Sequence, residues 1–166
     1  MTFITVLRRR ALLPMALAGA LLAAAPAALS VTAHAADDGL VRVTSPHSVP
    51  VTIERLRTAL TNKGITIFAD IDHAANAAAM DLEMPATHLL IFGSPKIGAP
   101  LMRRDPAIGI DLPIKAVVYE DADGQVWLAY NDPAYLAARH GLPADLKPFA
   151  GMRKALEGFV GFAVKN

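Results

Sequence analysis

From Leu40 onward the chain switches between two hydrophobic rhythms. Residues 40–44 repeat every second position, with Val41 and Val43 on one face, and Pro46 ends the run; this pattern predicts a strand. Val49, Ile53, Leu56 and Leu60 then recur at spacings of four, three and four, which is one apolar face of a helix. Ser48 suits its N-cap, and Pro50 its first turn, where a missing N–H is harmless. Glu54, Arg55, Arg57 and Lys63 point elsewhere, and Gly64 is a suitable stop. Residues 65–72 return to period two. Ile65, Ile67, Ala69 and Ile71 share one face; Thr66, Phe68, Asp70 and Asp72 share the other, as in a half-buried strand.

The alanine-rich stretch HAANAAAM, residues 73–80, reads as helix, and Pro85 closes it. Residues 89–92 are wholly apolar, the mark of a central strand. Pro100 suits the first position of a short helix carrying Leu101 and Met102, and Asp105-Pro106 opens another. Residues 114–120 and 125–131 flank Asp121-Ala122-Asp123-Gly124 and form a hairpin, with Trp127 on one face and Val126, Leu128 and Tyr130 on the other. Asp132-Pro133 caps a helix ending at His140-Gly141. Phe149, Met152, Leu156, Phe159 and Ala163 line one face of a C-terminal helix. The order β-α-β-(α)-β-α-β-β-α-α predicts an α+β domain, a mixed sheet of five strands covered by helices.

Composition changes this picture mainly at the N-terminus. Apolar residues make up 54% of the 166, and they crowd into the first 35. Arg8, Arg9 and Arg10 precede an apolar stretch over residues 11–31, and Ala33-His34-Ala35 is a small-x-small cleavage site. Residues 1–35 therefore read as a cleaved signal peptide. As a retained anchor the stretch would be a weak span, rich in alanine and broken by Pro14 and Pro26. The run Arg9-Arg10-Ala11-Leu12-Leu13 also resembles a twin-arginine signal, so both export routes stay open. The mature chain would begin at Ala36 and be periplasmic or secreted, with no membrane contact of its own. Without the leader arginines, 13 basic residues face 15 acidic ones. No basic block remains beyond Arg103-Arg104, which argues against nucleic acid as a partner. Cysteine is absent, which excludes disulfides, thiolate metal sites and cysteine nucleophiles.

Four stretches invite chemistry. Gly93-Ser94-Pro95-Lys96-Ile97-Gly98 has the two-glycine spacing of a phosphate loop, but Ala99 and Pro100 stand where Lys and Ser/Thr are required. Pro95 and Pro100 also remove two backbone donors. The glycines then read as a strand-to-helix turn that uses positive φ. Asp121 and Asp123 suggest a calcium loop, yet Gln125, Val126 and Asp132 occupy the positions of a third ligand, the glycine and the glutamate. His73, Met80, Met84 and His88 are soft ligands of the kind copper takes, but their spacing fits no ligand template, and methionines equally fill core gaps. No metal is expected. Asp70, Asp72 and His73 form the one close acid–histidine group, and a histidine just past a strand end could serve as a general base. No nucleophile is evidently paired with it, and the aspartates could simply be the solvated face of their strand.

The segments IDHAANA (71–77), THLLIFGSPKIGAPLM (87–102) and DLPIKAVVYEDADGQVWLAYNDPAYLAARHGL (111–142) resemble the family called domain of unknown function 302 (DUF302). The likeness covers about residues 40–142. It implies a curved five-stranded sheet with helices packed on one side, of the TATA-binding-protein-like type, and it implies no activity and no cofactor. The family often has Asn where Ser94 stands and Thr where Ala99 stands. Residues 36–142 would form the DUF302-like domain, and residues 143–166 an added C-terminal helical extension packed on it.

The leading expectation is an exported binding domain for a small molecule or a protein partner. Residues 93–102 would be one wall of its site and His73 its polar group, with Phe92, Gly93, Pro95, Gly98 and Met102 as ligand contacts. That placement requires the strands over 65–72 and 89–92 to be parallel neighbours, so that both ends open on one crevice; antiparallel strands would separate them. An enzyme using His73 as general base with Asp70 and Asp72, and a structural homodimer, are the alternatives. For export the expected outcome is concrete: N-terminal sequencing of the exported protein reads from Ala36, and an intact Met1 would refute the leader assignment.

Overall fold

The computed structural model describes His34, Ala35 and residues 39–166; the expected signal peptide, save those first two residues, lies outside the described residues. The elements run β1 (His34–Ala35), β2 (Leu40–Ser45), α1 (Val49–Asn62), β3 (Thr66–Asp72), α2 (His73–Ala78), β4 (Thr87–Gly93), α3 (Pro95–Met102), a 3-10 turn (Pro106–Ile110), β5 (Ile114–Glu120), β6 (Val126–Asn131), α4 (Pro133–Arg139) and α5 (Lys147–Val164). The five strands from Leu40 onward are those the hydrophobic pattern predicts. The two-residue β1 lengthens one edge.

Most boundaries follow from local chemistry. Asp72, Ser94, Asp105 and Asp132 each accept a hydrogen bond from a backbone N–H at the start of the following helix or turn, which satisfies a donor the helix itself leaves unpaired. α3 starts at Pro95, not at Pro100, which lies inside it. Ser94 supplies the cap that the sequence reading overlooked. The Asp121–Gly124 turn is a hairpin. The Asp121 carboxylate accepts from the backbone N–H of Asp123 and Gln125 at 3.0 and 2.9 Å, and from the Trp127 indole N–H at 2.7 Å. The indole bond foremost, then the Gln125 N–H, holds the Asp121 carboxyl below its ordinary range.

The strand order is β1-β2-β6-β5-β4-β3, and every neighbouring pair is antiparallel. The expectation of a mixed sheet is corrected in this respect. α1 carries the chain from β2 to the far edge, so the two strands joined by the crossover never become neighbours. The later connections each reverse direction. Helices cover one face. Val41, Val43, Leu90, Phe92, Ala116, Val118 and Leu128 on that face share one core with Ile53, Leu56 and Leu60 of α1 and Phe149, Met152 and Leu156 of α5. The C-terminal helix is present as expected, and it is integral to this core.

The long helices α1 and α5 pack on that face, and Ile71, Leu89, Ile91 and Val117 lie half-buried on the opposite one. The alternation read along residues 65–72 does not survive intact. A register shift between Ile67 and Ala69 leaves Phe68 bulged out of the pairing. Ile67 stays opposite Phe92, facing the helices, whereas Ala69 and Ile71 pair with Ile91 and Leu89 on the opposite face. Asp70 and Asp72 are thereby turned to the helix side, opposite Leu90 and His88.

Leu56 has no exposed surface. Leu56→Ala is expected to destabilise the fold by about 2–5 kcal/mol in chemical denaturation. A loss below about 1 kcal/mol would show that this helix face does not carry the core.

Candidate functional site

The antiparallel pairing of β3 with β4 decides where the candidate residues go. Thr66 pairs with Gly93 and Asp72 with His88, so His73 and Gly93 emerge at opposite ends of the strand pair. Six residue steps at about 3.4 Å put them roughly 20 Å apart. His73 is therefore not the polar group of a site built from residues 93–102. It opens α2 as an exposed residue.

The histidine that meets the aspartates is His88. Its Nε2 donates to Asp70 Oδ1 in a short contact, and its Nδ1 lies 3.8 Å from Asp72 Oδ2. From α1, Arg57 donates to Asp70 Oδ2 through Nε at 3.1 Å and Nη2 at 2.5 Å, and it also pairs with Glu54. Burial alone would raise the Asp70 carboxyl. The hydrogen bonds from His88 and Arg57, with their charges, outweigh it and hold the group below the ordinary carboxylate range. Asp72 is occupied as the cap of α2, accepting from the Ala75 N–H at 2.9 Å. This is an ion-paired strand edge, and it does not assemble the acid–base group expected from Asp70, Asp72 and His73. Of the copper-like quartet, His88 is engaged by Asp70, and His73, Met80 and Met84 are exposed.

The other end of the strand pair is different in kind. Phe92, Gly93, Pro95, Gly98 and Met102 line a cavity of about 220 Å³. Further walls come from Ile65 and Phe68 beside the bulge, from Gly109, Leu112, Pro113 and Ile114, and from Met152, Leu156 and Phe159 of α5. No ionisable side chain lines it, and Ser94 supplies its one side-chain hydroxyl. That hydroxyl accepts the Lys96 N–H at 3.3 Å as the helix cap.

The glycines do not serve the purpose their spacing suggested. Neither Gly93 nor Gly98 has positive φ. Gly98 leaves room for Met102, whereas a side chain at Gly93 would make only ordinary contacts. A Cβ on Gly93 would lie 3.4 Å from Pro113 Cβ, and one on Gly98 would lie 3.3 Å from Met102 Cε.

One part of the cavity's support left no mark in the sequence. His140, at the end of α4, lies between two carboxylates: Nδ1 is 2.9 Å from Asp105 Oδ2 and Nε2 is 2.7 Å from Asp111 Oδ2. Arg139 donates to the other Asp111 oxygen at 3.2 Å. Asp105 and Asp111 bracket the 3-10 turn, so this cluster fixes the wall that contributes Gly109 and Leu112 to the cavity.

Comparison with known proteins agrees with this architecture. The model of the family "Domain of unknown function DUF302" matches residues 41–159, running into α5, and the chain belongs to that family. A crystal structure of a DUF302 protein from Bacillus stearothermophilus superposes with a TM-score of 0.66 at 21% identity, covering 75% of this chain and 98% of that one; it shares the fold. Among curated proteins, "Fluoride-specific ion channel FluC 1" of Brucella suis is 48% identical over 112 residues, which is 66% of this chain and 44% of that protein. The protein of the same name in Brucella abortus is 48% identical over 66% of this chain and 42% of its own length. The chain thus spans less than half the length of these two relatives.

The lowered Asp70 carboxyl sets a direction for pH dependence. A depressed folded-state value contributes stability that is complete above the unfolded carboxyl value, near pH 4. The contribution is lost as pH falls through the lower, folded value. Wild type should therefore exceed Asp70→Asn in stability at pH 7, and the gap should close as pH falls through the acid range. Parallel denaturation curves for the two at pH 7 and pH 3 check this; a constant gap would show that the ion pairs contribute nothing.

Proposed function

We propose that this DUF302 domain is an exported binding module whose ligand occupies the cavity beneath α3. The export half of the reading rests on the arginine-rich start, the apolar stretch and the Ala33-His34-Ala35 motif. The binding half rests on one observation: a cavity of about 220 Å³ sits where Phe92, Gly93, Pro95, Gly98 and Met102 converge. A concave apolar pocket of this sort, held by well-packed elements, is the usual form of a small-molecule site. Native mass spectrometry of protein purified from its own host provides the test. Wild type should carry an added small-molecule mass that Ala155→Phe, which fills the cavity from α5, no longer retains. A bare chain mass in both would refute the reading.

The other sheet face supports a second reading, as an assembly module. Ile71, Leu89, Ile91 and Val117 form a half-buried apolar surface on the face opposite α1 and α5, and contiguous apolar surfaces often mark protein contacts. In the relatives named as fluoride channels the matched segment is less than half of the protein. The described residues here include no helix long and apolar enough to cross a membrane. In those relatives the domain would then be an attachment beside the membrane part, and in this chain the face opposite α1 and α5 would seat a partner or a second copy. Analytical ultracentrifugation separates the two readings. A dimer dispersed by Ile91→Lys favours assembly; a monomer that retains its small-molecule mass favours ligand binding.

A further inference from the structure

The cavity's chemistry restricts what it can hold. Among its lining side chains the one polar group is the Ser94 hydroxyl, which accepts the cap bond of α3 and keeps a single O–H to donate. Three charged side chains of the adjoining wall are committed outside it. Lys115 Nζ lies 3.3–3.5 Å from the carbonyl oxygens of Ile110, Pro113 and Asp111. His140 and Arg139 are spent on Asp105 and Asp111. An ion brought into this space would lose its water and find one hydroxyl and no opposite charge, which is strongly unfavourable. Size limits the ligand as well. An apolar cavity of about 150 Å³ in another protein accommodates benzene, so 220 Å³ leaves room for a ring with a short tail.

The entrance is equally specific. Phe68 and Met102 are large hydrophobic lining residues with substantial exposure, 54% and 38%. Phe68 is placed there by the bulge and is fixed to a strand. Met102 ends α3 between two glycines: a Cβ on Gly98 would lie 3.3 Å from its Cε, and one on Gly109 would lie 3.8 Å from its Sδ. An unbranched thioether with three rotatable bonds, flanked by two glycines, is the lining side chain best suited to change rotamer.

We infer that the cavity takes an uncharged, hydrogen-bond-poor molecule of about six to eight carbons, an aliphatic chain or a single ring, and that Met102 is the side chain that swings to admit it. This rests on the ligand-binding reading above and specifies the ligand class for the same site. The full-length mature protein, labelled at its methionine methyl groups, carries four such probes. Met102 and Met152 line the cavity, whereas Met80 and Met84 stand exposed elsewhere and serve as internal controls.

Titration with 1-hexanol and with toluene should shift the Met102 and Met152 methyl resonances and leave Met80 and Met84 in place. Hexanoate and hexylammonium, charged at neutral pH, should bind about tenfold more weakly or worse. If the charged analogues bind as tightly as the neutral ones, the ligand class is wrong while the cavity reading stands. If no probe moves Met102 or Met152, the cavity reading itself fails. The entrance is tested by rates. Met102→Ala should speed exchange of 1-hexanol, and Gly98→Ala, which crowds the Met102 methyl, should slow it, with the Met152 methyl as reporter and thermal unfolding as the folding control. Exchange rates unchanged in both folded variants would overturn the role given to Met102.

Discussion

The bulge at Phe68 is the constraint on which the rest of this structure turns. An edge strand with strict alternation would present one apolar and one polar side along its whole length. The extra residue between Ile67 and Ala69 exchanges the two sides midway, as a bulge does by placing two residues opposite one. Upstream of it, Ile67 stays with the helix-covered core and Phe68 is left free to form part of the cavity mouth. Downstream, Asp70 and Asp72 swing to the helix side, where Arg57 of α1 and His88 of β4 receive them. One irregular residue thus divides the strand into an apolar end that lines a cavity and a charged end held by ion pairs. The ion pairs there are partly exposed, so their contribution is modest. Charges and a bulge on an edge strand also discourage unwanted pairing with another sheet.

The cavity depends in turn on a wall with little regular structure of its own. The 3-10 turn buries Ile108 and is otherwise fixed at its two ends, through Asp105 and Asp111, by a single histidine from α4. The His140 ring lies within hydrogen-bonding distance of both carboxyl groups, one at each nitrogen. The side chains of His140 and Asp111 are each only 8% exposed, and charge-assisted bonds in that setting are stronger than those at the surface. α5 closes the cavity from the other side with Met152, Leu156 and Phe159. This helix therefore belongs to the site as much as to the core, in keeping with a family match that extends to residue 159.

Much of the architecture was legible in the sequence. The spacing of Val49, Ile53, Leu56 and Leu60, the Asp121–Gly124 hairpin, the Asp132-Pro133 cap and the apolar face of α5 each specify a local structure whose signal lies within a few residues. Local periodicity and capping are properties of neighbouring positions, so no tertiary knowledge was needed to find them. The segment around Gly93 was also recognisable as a place where structure changes, because a strand, two glycines and two prolines fall within a dozen residues.

What lay beyond the sequence was everything set by strand direction and long-range pairing. Parallel and antiparallel neighbours bury the same apolar runs, so the composition of residues 65–72 and 89–92 could not say which end of β3 adjoins Gly93. The structure chose antiparallel, and with that choice His73 left the site and His88 took the aspartates. A bulge costs one ladder position and leaves the alternation of residue types unbroken, which is why the exchange of faces at Phe68 was invisible. The roles of Gly93 and Gly98 could not be read either, since a glycine needed for positive φ and one needed for space are the same letter. His140 met Asp105 and Asp111 across 35 and 29 residues, a distance along the chain over which no local pattern carries information. The sequence by itself determined the elements and the helix faces. Tertiary structure alone decided which of its polar residues meet and which of its apolar residues enclose a space, because both depend on register between strands that the chain brings together only when folded.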